Sequence, residues 1–122
     1  MSAVVLFAHG SRDPEWAAPF EAIRQKIAAA KPGLRVELAF LEMMRPTLSD
    51  AVSRLATAGE RHIYIAPLFM AQGAHLKRDL GALLDTLRRA HPEAQLEVLP
   101  AVGEMESVLD AIGGSIAQAI AK

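Results

Sequence analysis

No cysteine occurs among the 122 residues, which excludes disulfides, iron–sulfur clusters and thiolate metal sites and fits a reducing compartment. Neither sign of charge dominates: 13 Lys and Arg stand against 14 Asp and Glu, for a formal net charge of −1. Nucleic-acid binding through phosphates leaves a basic excess or a basic stripe, and neither is obvious in the chain. The composition is 52% hydrophobic, yet no apolar run approaches the ~18 residues of a membrane span. No charged segment with a cleavable signal pattern opens the chain. The expectation is a cytoplasmic protein with no nucleic-acid and no membrane partner. Its length suits one domain of ~100–200 residues, so residues 1–122 are read as a single unit. A domain of this size has little room for a deep enclosed pocket, so a large ligand would need a second wall from elsewhere.

What is present is one unit repeated. Ala3–Ala8 is a continuous apolar run, suited to a strand buried on both faces. Trp16, Phe20, Ile23 and Ile27 follow at helical spacing, and Lys31-Pro32-Gly33 ends that helix. Leu34–Leu41 alternates as a second strand. Thr47-x-x-Asp50 resembles a capping box opening a helix with Leu48, Val52 and Leu55, and Gly59 is suited to cap its end. Arg61–Ala66, closed by Pro67, reads as a third strand. Leu80, Leu83, Leu84 and Leu87 mark a helix that starts near Lys77 or Arg78 and closes near His91-Pro92. Gln95–Leu99 reads as the fourth strand. The last helix carries Met105, Val108, Leu109, Ile112, Ile116 and Ile120, with Gly113-Gly114 inside it, where it either kinks or packs closely against another chain.

Four β–α units in strict alternation predict an α/β fold: a single-domain, flavodoxin-like three-layer sandwich around a four-stranded parallel sheet, order 2-1-3-4. Ligands of such sheets bind beyond the carboxyl ends of the strands, at the switch point, here between the first and third strands. His9-Gly10-Ser11-Arg12 directly follows the first strand, Glu42 follows the second, and Leu68–His75 follows the third. A strand-end histidine is ordinarily a hydrogen-bonded structural residue, but the position of His9 favours a functional one. His75 alone is equally a capping or solvated residue; its pairing with His9 across the switch point argues for a shared role. His62 and His91, at the opposite strand end and in a helix-ending turn, read as solvated structural residues.

Neutral imidazoles suit cobalt, nickel, iron and zinc, and a carboxylate can complete or assist such a site. Two histidines with a weak third ligand leave coordination positions open, as a metal that reacts or is handed on requires. No His-Glu-x-x-His, P-loop or Gly-x-Gly-x-x-Gly occurs, and Ser11 lacks a nucleophile-elbow sequence. Arg12, Arg45, Lys77 and Arg78 form either a solvated rim or a receptor for a carboxylate-bearing substrate. Met43, Met44, Leu68, Phe69 and Met70 add adaptable apolar side chains nearby, most of them expected to serve the core and one or two to face a flat hydrophobic ligand.

Val5–Pro14, with His9-Gly10-Ser11-Arg12 inside it, resembles the first signature of the small sirohydrochlorin chelatases of the CbiX/SirB type. Phe40-Leu41-Glu42 with Arg45-Pro46-Thr47-Leu48 resembles the second signature, and Pro67-Leu68-Phe69 through His75 to Asp79 the third. The three stand in family order and spacing over nearly the whole chain. The resemblance implies a class II chelatase, a lyase that inserts a divalent metal into a tetrapyrrole without ATP. It implies His9 and His75 as metal ligands, His9 also as proton acceptor, and Glu42 as an aid to metal binding or proton removal. Met70, Ala71, Gln72, Gly73, Ala74 and His75 would contact the tetrapyrrole, with Arg12, Arg45 and Arg78 orienting its carboxylates. The implied substrates are sirohydrochlorin and cobalt, or iron or nickel, in cobalamin or siroheme biosynthesis, with no cofactor beyond the metal. Two positions depart from the pattern. Many relatives carry an acidic residue where this chain has Arg45, which can instead pair with a substrate carboxylate. Some archaeal relatives have a further histidine where this chain has Gln72, so a site using it is excluded. The family includes longer chains with two such lobes around a cleft; one lobe implies a homodimer whose clefts the partner closes. The competing readings are a non-catalytic metal or tetrapyrrole carrier, and a phosphate-ligand module with Gly10-Ser11 at a helix terminus.

Overall fold

The computed structural model describes residues 2–120. Four strands, β1 (Ser2–Ala8), β2 (Arg35–Phe40), β3 (His62–Pro67) and β4 (Gln95–Val98), form an all-parallel sheet in the expected order β2-β1-β3-β4. From Ala3 to Ala8 strand β1 is apolar and buried, as suits a strand with neighbours on both sides and covered faces. Ala3, Val5 and Phe7 lie with Ile63, Ile65 and Leu96 in the larger core cluster, while Val4 and Leu6 lie with Val36 and Ala66 in the smaller one.

The larger cluster is closed by α2 (Leu48–Thr57) and α3 (Ala74–Ala90), through Val52, Leu55, Leu80, Leu84 and Leu87. On the other face, α1 (Ala18–Ala30) contributes Ile23 and Ile27 after a 3₁₀ turn at Pro14–Ala17. The last helix, α4 (Glu106–Ala119), follows a second 3₁₀ turn at Val102–Glu104 and buries none of its residues. It runs as one helix across Gly113-Gly114, without the interruption that the two glycines allowed. No helix among the described residues is long and apolar enough to cross a membrane.

Caps at the helix ends follow the expected chemistry. Thr47 Oγ1 accepts from the Asp50 amide at 3.1 Å. At the end of α2, the Gly59 amide donates to Ala56 and the Glu60 amide to Leu55, the paired bonds of a Schellman motif, with Gly59 at φ 96°. A Cβ at Gly59 would meet no atom within 4 Å, so its cost is conformational only, about 1–2 kcal/mol for the left-handed region. Gly59→Ala is therefore expected to lower the urea midpoint with an unchanged m-value; an unchanged midpoint would contradict this assignment.

The third helix begins earlier than its leucine spacing suggests. Gly73 is its N-cap and accepts from the Lys77 amide at 3.1 Å, so the helix starts at Ala74 rather than near Lys77 or Arg78. His75 consequently belongs to a helical first turn and not to a loop.

Candidate active site at the carboxyl edge of the sheet

The first two strands continue to associate beyond their regular pairing. Leu41 donates its amide to Ala8 at 2.9 Å and Glu42 to His9 at 3.0 Å. This zipper brings together two side chains 33 positions apart: His9 Nε2 lies 3.1 Å from Glu42 Oε2. An ionised carboxylate only accepts, so the imidazole donates from Nε2 and keeps the Nδ1 lone pair for another partner. Both side chains are about half exposed, at 56% and 50%, and so are open to an incoming ligand.

Gly10 makes the close approach possible. It has φ 102°, and a Cβ there would lie 1.8 Å from the Glu42 carbonyl oxygen. After Glu42 the chain turns sharply: the Met44 amide donates to the Glu42 carbonyl at 2.8 Å across Met43, which has φ 68°. A positive φ at a non-glycine residue stores strain, and such strain clusters at ligand sites. The chain returns through a cis Arg45–Pro46 bond, and the Phe40 amide donates to the Pro46 carbonyl at 2.9 Å.

His75 is exposed in the first turn of α3, on the connection after β3. An apolar dent of about 90 Å³ joins the two loops: Leu41, next to Glu42, and Leu76, next to His75, both line it above Phe7. His9, Glu42 and His75 thus share one edge of the sheet. Among the described residues, no hydrogen bond joins His75 to the His9–Glu42 pair, and no three His, Asp or Glu side chains are already grouped around a common point.

The other candidate residues are distributed around this edge. Met70 is largely exposed, Ala71, Gly73 and Ala74 are exposed, and Gln72 is half-buried, so the β3–α3 connection presents its surface outward. Arg12 and Arg78 are exposed. Arg45 lines a shallow groove on the outer flank of β2 with Glu21, Arg24 and Glu37, one strand away from the switch point. There the hydrogen bond from Arg24 holds the Glu21 carboxyl below its usual range. The two remaining histidines lie outside the site, as expected, but neither is simply solvated. His62 Nε2 meets Glu97 Oε1 at 2.9 Å and its ring stacks on Tyr64, and His91 Nε2 meets Ser53 Oγ at 3.1 Å.

Sequence reasoning missed Gly103. Its amide donates to the Phe69 carbonyl at 3.1 Å, and a Cβ there would lie 1.6 Å from the Met70 carbonyl oxygen. The turn before α4 therefore supports the β3–α3 connection from behind. A glycine just after the fourth strand was the available signal, but no spacing rule links it to a loop more than thirty residues earlier.

Comparison with known proteins identifies the family and the fold. The family model described as CbiX matches residues 3–119. A sirohydrochlorin cobaltochelatase from Methanopyrus kandleri is 38% identical over 84 residues, covering 69% of this chain and 59% of that protein. One from Saccharolobus islandicus is 40% identical over 84 residues, covering 69% of this chain and 64% of that protein. The match thus spans less than two thirds of either relative's length. Among solved structures, a cobalamin biosynthesis CbiX protein from Marinobacter aquaeolei superposes with a TM-score of 0.85 at 25% identity, over 98% of both chains. SirB from Bacillus subtilis with Fe3+ shares the fold at TM-score 0.80 and 22% identity, over 99% of this chain and 48% of its own.

Proposed function

The chain belongs to the CbiX family, and from that premise we propose that it inserts a divalent metal ion, cobalt foremost, into sirohydrochlorin without ATP. The observation that carries this reading is the His9–Glu42 pair at the carboxyl edge of β1 and β2, on the same edge of the sheet as the α3 first turn that carries His75. The names of the relatives support the substrate and the metal. Metal identity otherwise follows affinity order and supply, so iron and nickel belong to the same test.

Metal insertion removes two pyrrole N–H protons and transfers a partly dehydrated ion. His9 presents Nδ1, because Nε2 is engaged by Glu42. Nδ1 cannot hold the ion and a proton at once, so ligation and proton removal are sequential at this nitrogen. Glu42, one hydrogen bond away, orients the ring and provides the outlet for the proton. His75 is the second ligand. The loop from Met70 to His75 grips the macrocycle, and Arg12, Arg78 and Arg45 orient its carboxylates through charge-assisted hydrogen bonds. The flank position of Arg45 restricts it to a peripheral carboxylate.

A dent of about 90 Å³ cannot enclose a tetrapyrrole, since binding sites bury most of a ligand's surface. The proposed active form is a homodimer in which the partner supplies the opposite wall. It works in the cytoplasm, in cobalamin or siroheme biosynthesis. The test is absorbance-monitored insertion into sirohydrochlorin with Co²⁺, Fe²⁺ and Ni²⁺ offered separately. Many turnovers per chain are expected with at least one metal. Stoichiometric binding without turnover would identify a carrier and overturn the proposal.

A further inference from the structure

The β3–α3 connection is fixed firmly at both ends and lightly between them. At its start the Leu68 amide donates to the Phe7 carbonyl at 2.8 Å. Phe69 is buried and meets the Phe7 ring edge-on, with centroids 5.7 Å apart. At its end α3 begins at Ala74 and is anchored through Leu80, Leu84 and Leu87. Between these ends Met70, Ala71 and Gly73 are exposed and Gln72 is half-buried.

Support for the middle comes from the 3₁₀ turn at Val102–Glu104. The Gly103 amide donates to the Phe69 carbonyl at 3.1 Å. A Cβ at Gly103 would lie 1.6 Å from the Met70 carbonyl oxygen and 2.4 Å from Met70 Cα. Turn and connection therefore touch backbone to backbone, and any change in the shape of the turn is passed to Met70.

Glu104 sets that shape. Its amide donates to the Ala101 carbonyl at 2.8 Å, and its Oε1 accepts from the Ala101 amide at 3.1 Å. Main chain and side chain thus close the same turn. Ala101 is fully buried, so its amide needs this acceptor. Ahead of it the Leu99 amide donates to the Ile65 carbonyl at 2.8 Å, which ties the base of the turn to β3. The exposed carboxylate of Glu104 is the one adjustable part of an otherwise main-chain frame.

We propose that Glu104 is a positioning residue for the tetrapyrrole: through Gly103 it aligns the Met70–Gly73 stretch that grips the macrocycle, and it leaves the metal-binding groups unaffected. His9 and Glu42 are held by the main-chain bonds at Leu41 and Glu42, and His75 by the first turn of α3. None of these bonds involves the turn at Val102–Glu104. The inference rests on the proposed grip of this loop on sirohydrochlorin, and it divides the site into a tetrapyrrole side governed by Glu104 and a metal side that is not.

The test compares Glu104→Ala with Glu104→Gln, whose amide oxygen can still accept from Ala101. Binding of sirohydrochlorin without metal, followed by absorbance, should weaken roughly fivefold in Glu104→Ala, the worth of about one hydrogen bond. KM for sirohydrochlorin should rise to the same extent, with kcat and the cobalt concentration for half-maximal rate unchanged. Glu104→Gln should restore both binding and KM. Amide hydrogen exchange at residues 70–73 should quicken in Glu104→Ala and not in Glu104→Gln. Unchanged binding in folded Glu104→Ala would overturn the proposal, as would a raised cobalt requirement or a Glu104→Gln variant as weak as Glu104→Ala. Glu104→Asp keeps the charge but is one methylene too short, so it should bind as weakly as Glu104→Ala; binding at full strength would also overturn the proposal. A chain that binds sirohydrochlorin without turning it over would defeat the proposed function, and the binding comparison would still decide the role of Glu104.

Discussion

His9→Ala is expected to reduce metal insertion into sirohydrochlorin by roughly 100-fold or more at limiting metal, within the range for loss of a positioned proton acceptor. The same substitution should leave the thermal midpoint nearly unchanged. His9 is half exposed, and its side-chain hydrogen bond is to an equally exposed Glu42. A surface pair of this kind contributes little to folding. Loss of rate without loss of stability distinguishes a site residue from a structural strand-end histidine. His75→Ala should lower insertion as well and raise the metal concentration needed for half-maximal rate. Near-normal rates in both variants at limiting metal would exclude the mechanism proposed for this edge. Glu42 separates two aspects of that mechanism. Removing its carboxylate frees the His9 Nε2 proton and the ring orientation while leaving Nδ1 available for the ion.

Gly10→Ala should be damaging in both fold and activity. Its φ of 102° costs an alanine about 1–2 kcal/mol. The added methyl would also lie 1.8 Å from the Glu42 carbonyl oxygen, a backbone atom that cannot swing away. Relief requires the two loops to separate. That breaks the Glu42–His9 main-chain bond and strains the Leu41–Ala8 bond beside it, each bond contributing about 1 kcal/mol. A destabilisation of about 2–4 kcal/mol follows from these terms, measurable by urea unfolding. Insertion should fall even where the variant remains folded, because the His9–Glu42 contact depends on the same approach. A Gly10→Ala protein with unaltered unfolding and insertion would show that the loops do not need this contact.

Much of the fold was legible in the chain because its determinants are local. The β1 run from Ala3 to Ala8 declares a strand buried on both faces, and the alternation of four strands with four helices leaves few topologies. Strand ends then mark the edge where chemistry belongs, which is why His9, Glu42 and His75 could be proposed together. The start of α3 was less legible. Its first turn is capped by Gly73 without a side-chain hydrogen bond, so no Ser, Thr, Asp or Asn announced it.

The sequence by itself determined the parallel order of the sheet and the edge on which the histidines stand, because strand and helix periods and chain reversals are properties of neighbouring residues. Only the tertiary structure decided that His9 Nε2 is committed to Glu42, that Gly10 and Gly103 are the points where loops touch backbone to backbone, and that α4 leaves its own sheet. Those outcomes depend on the distance between segments far apart in the chain. At Gly10 and Gly103 the deciding feature is the space left by an absent Cβ, which composition and periodicity do not record.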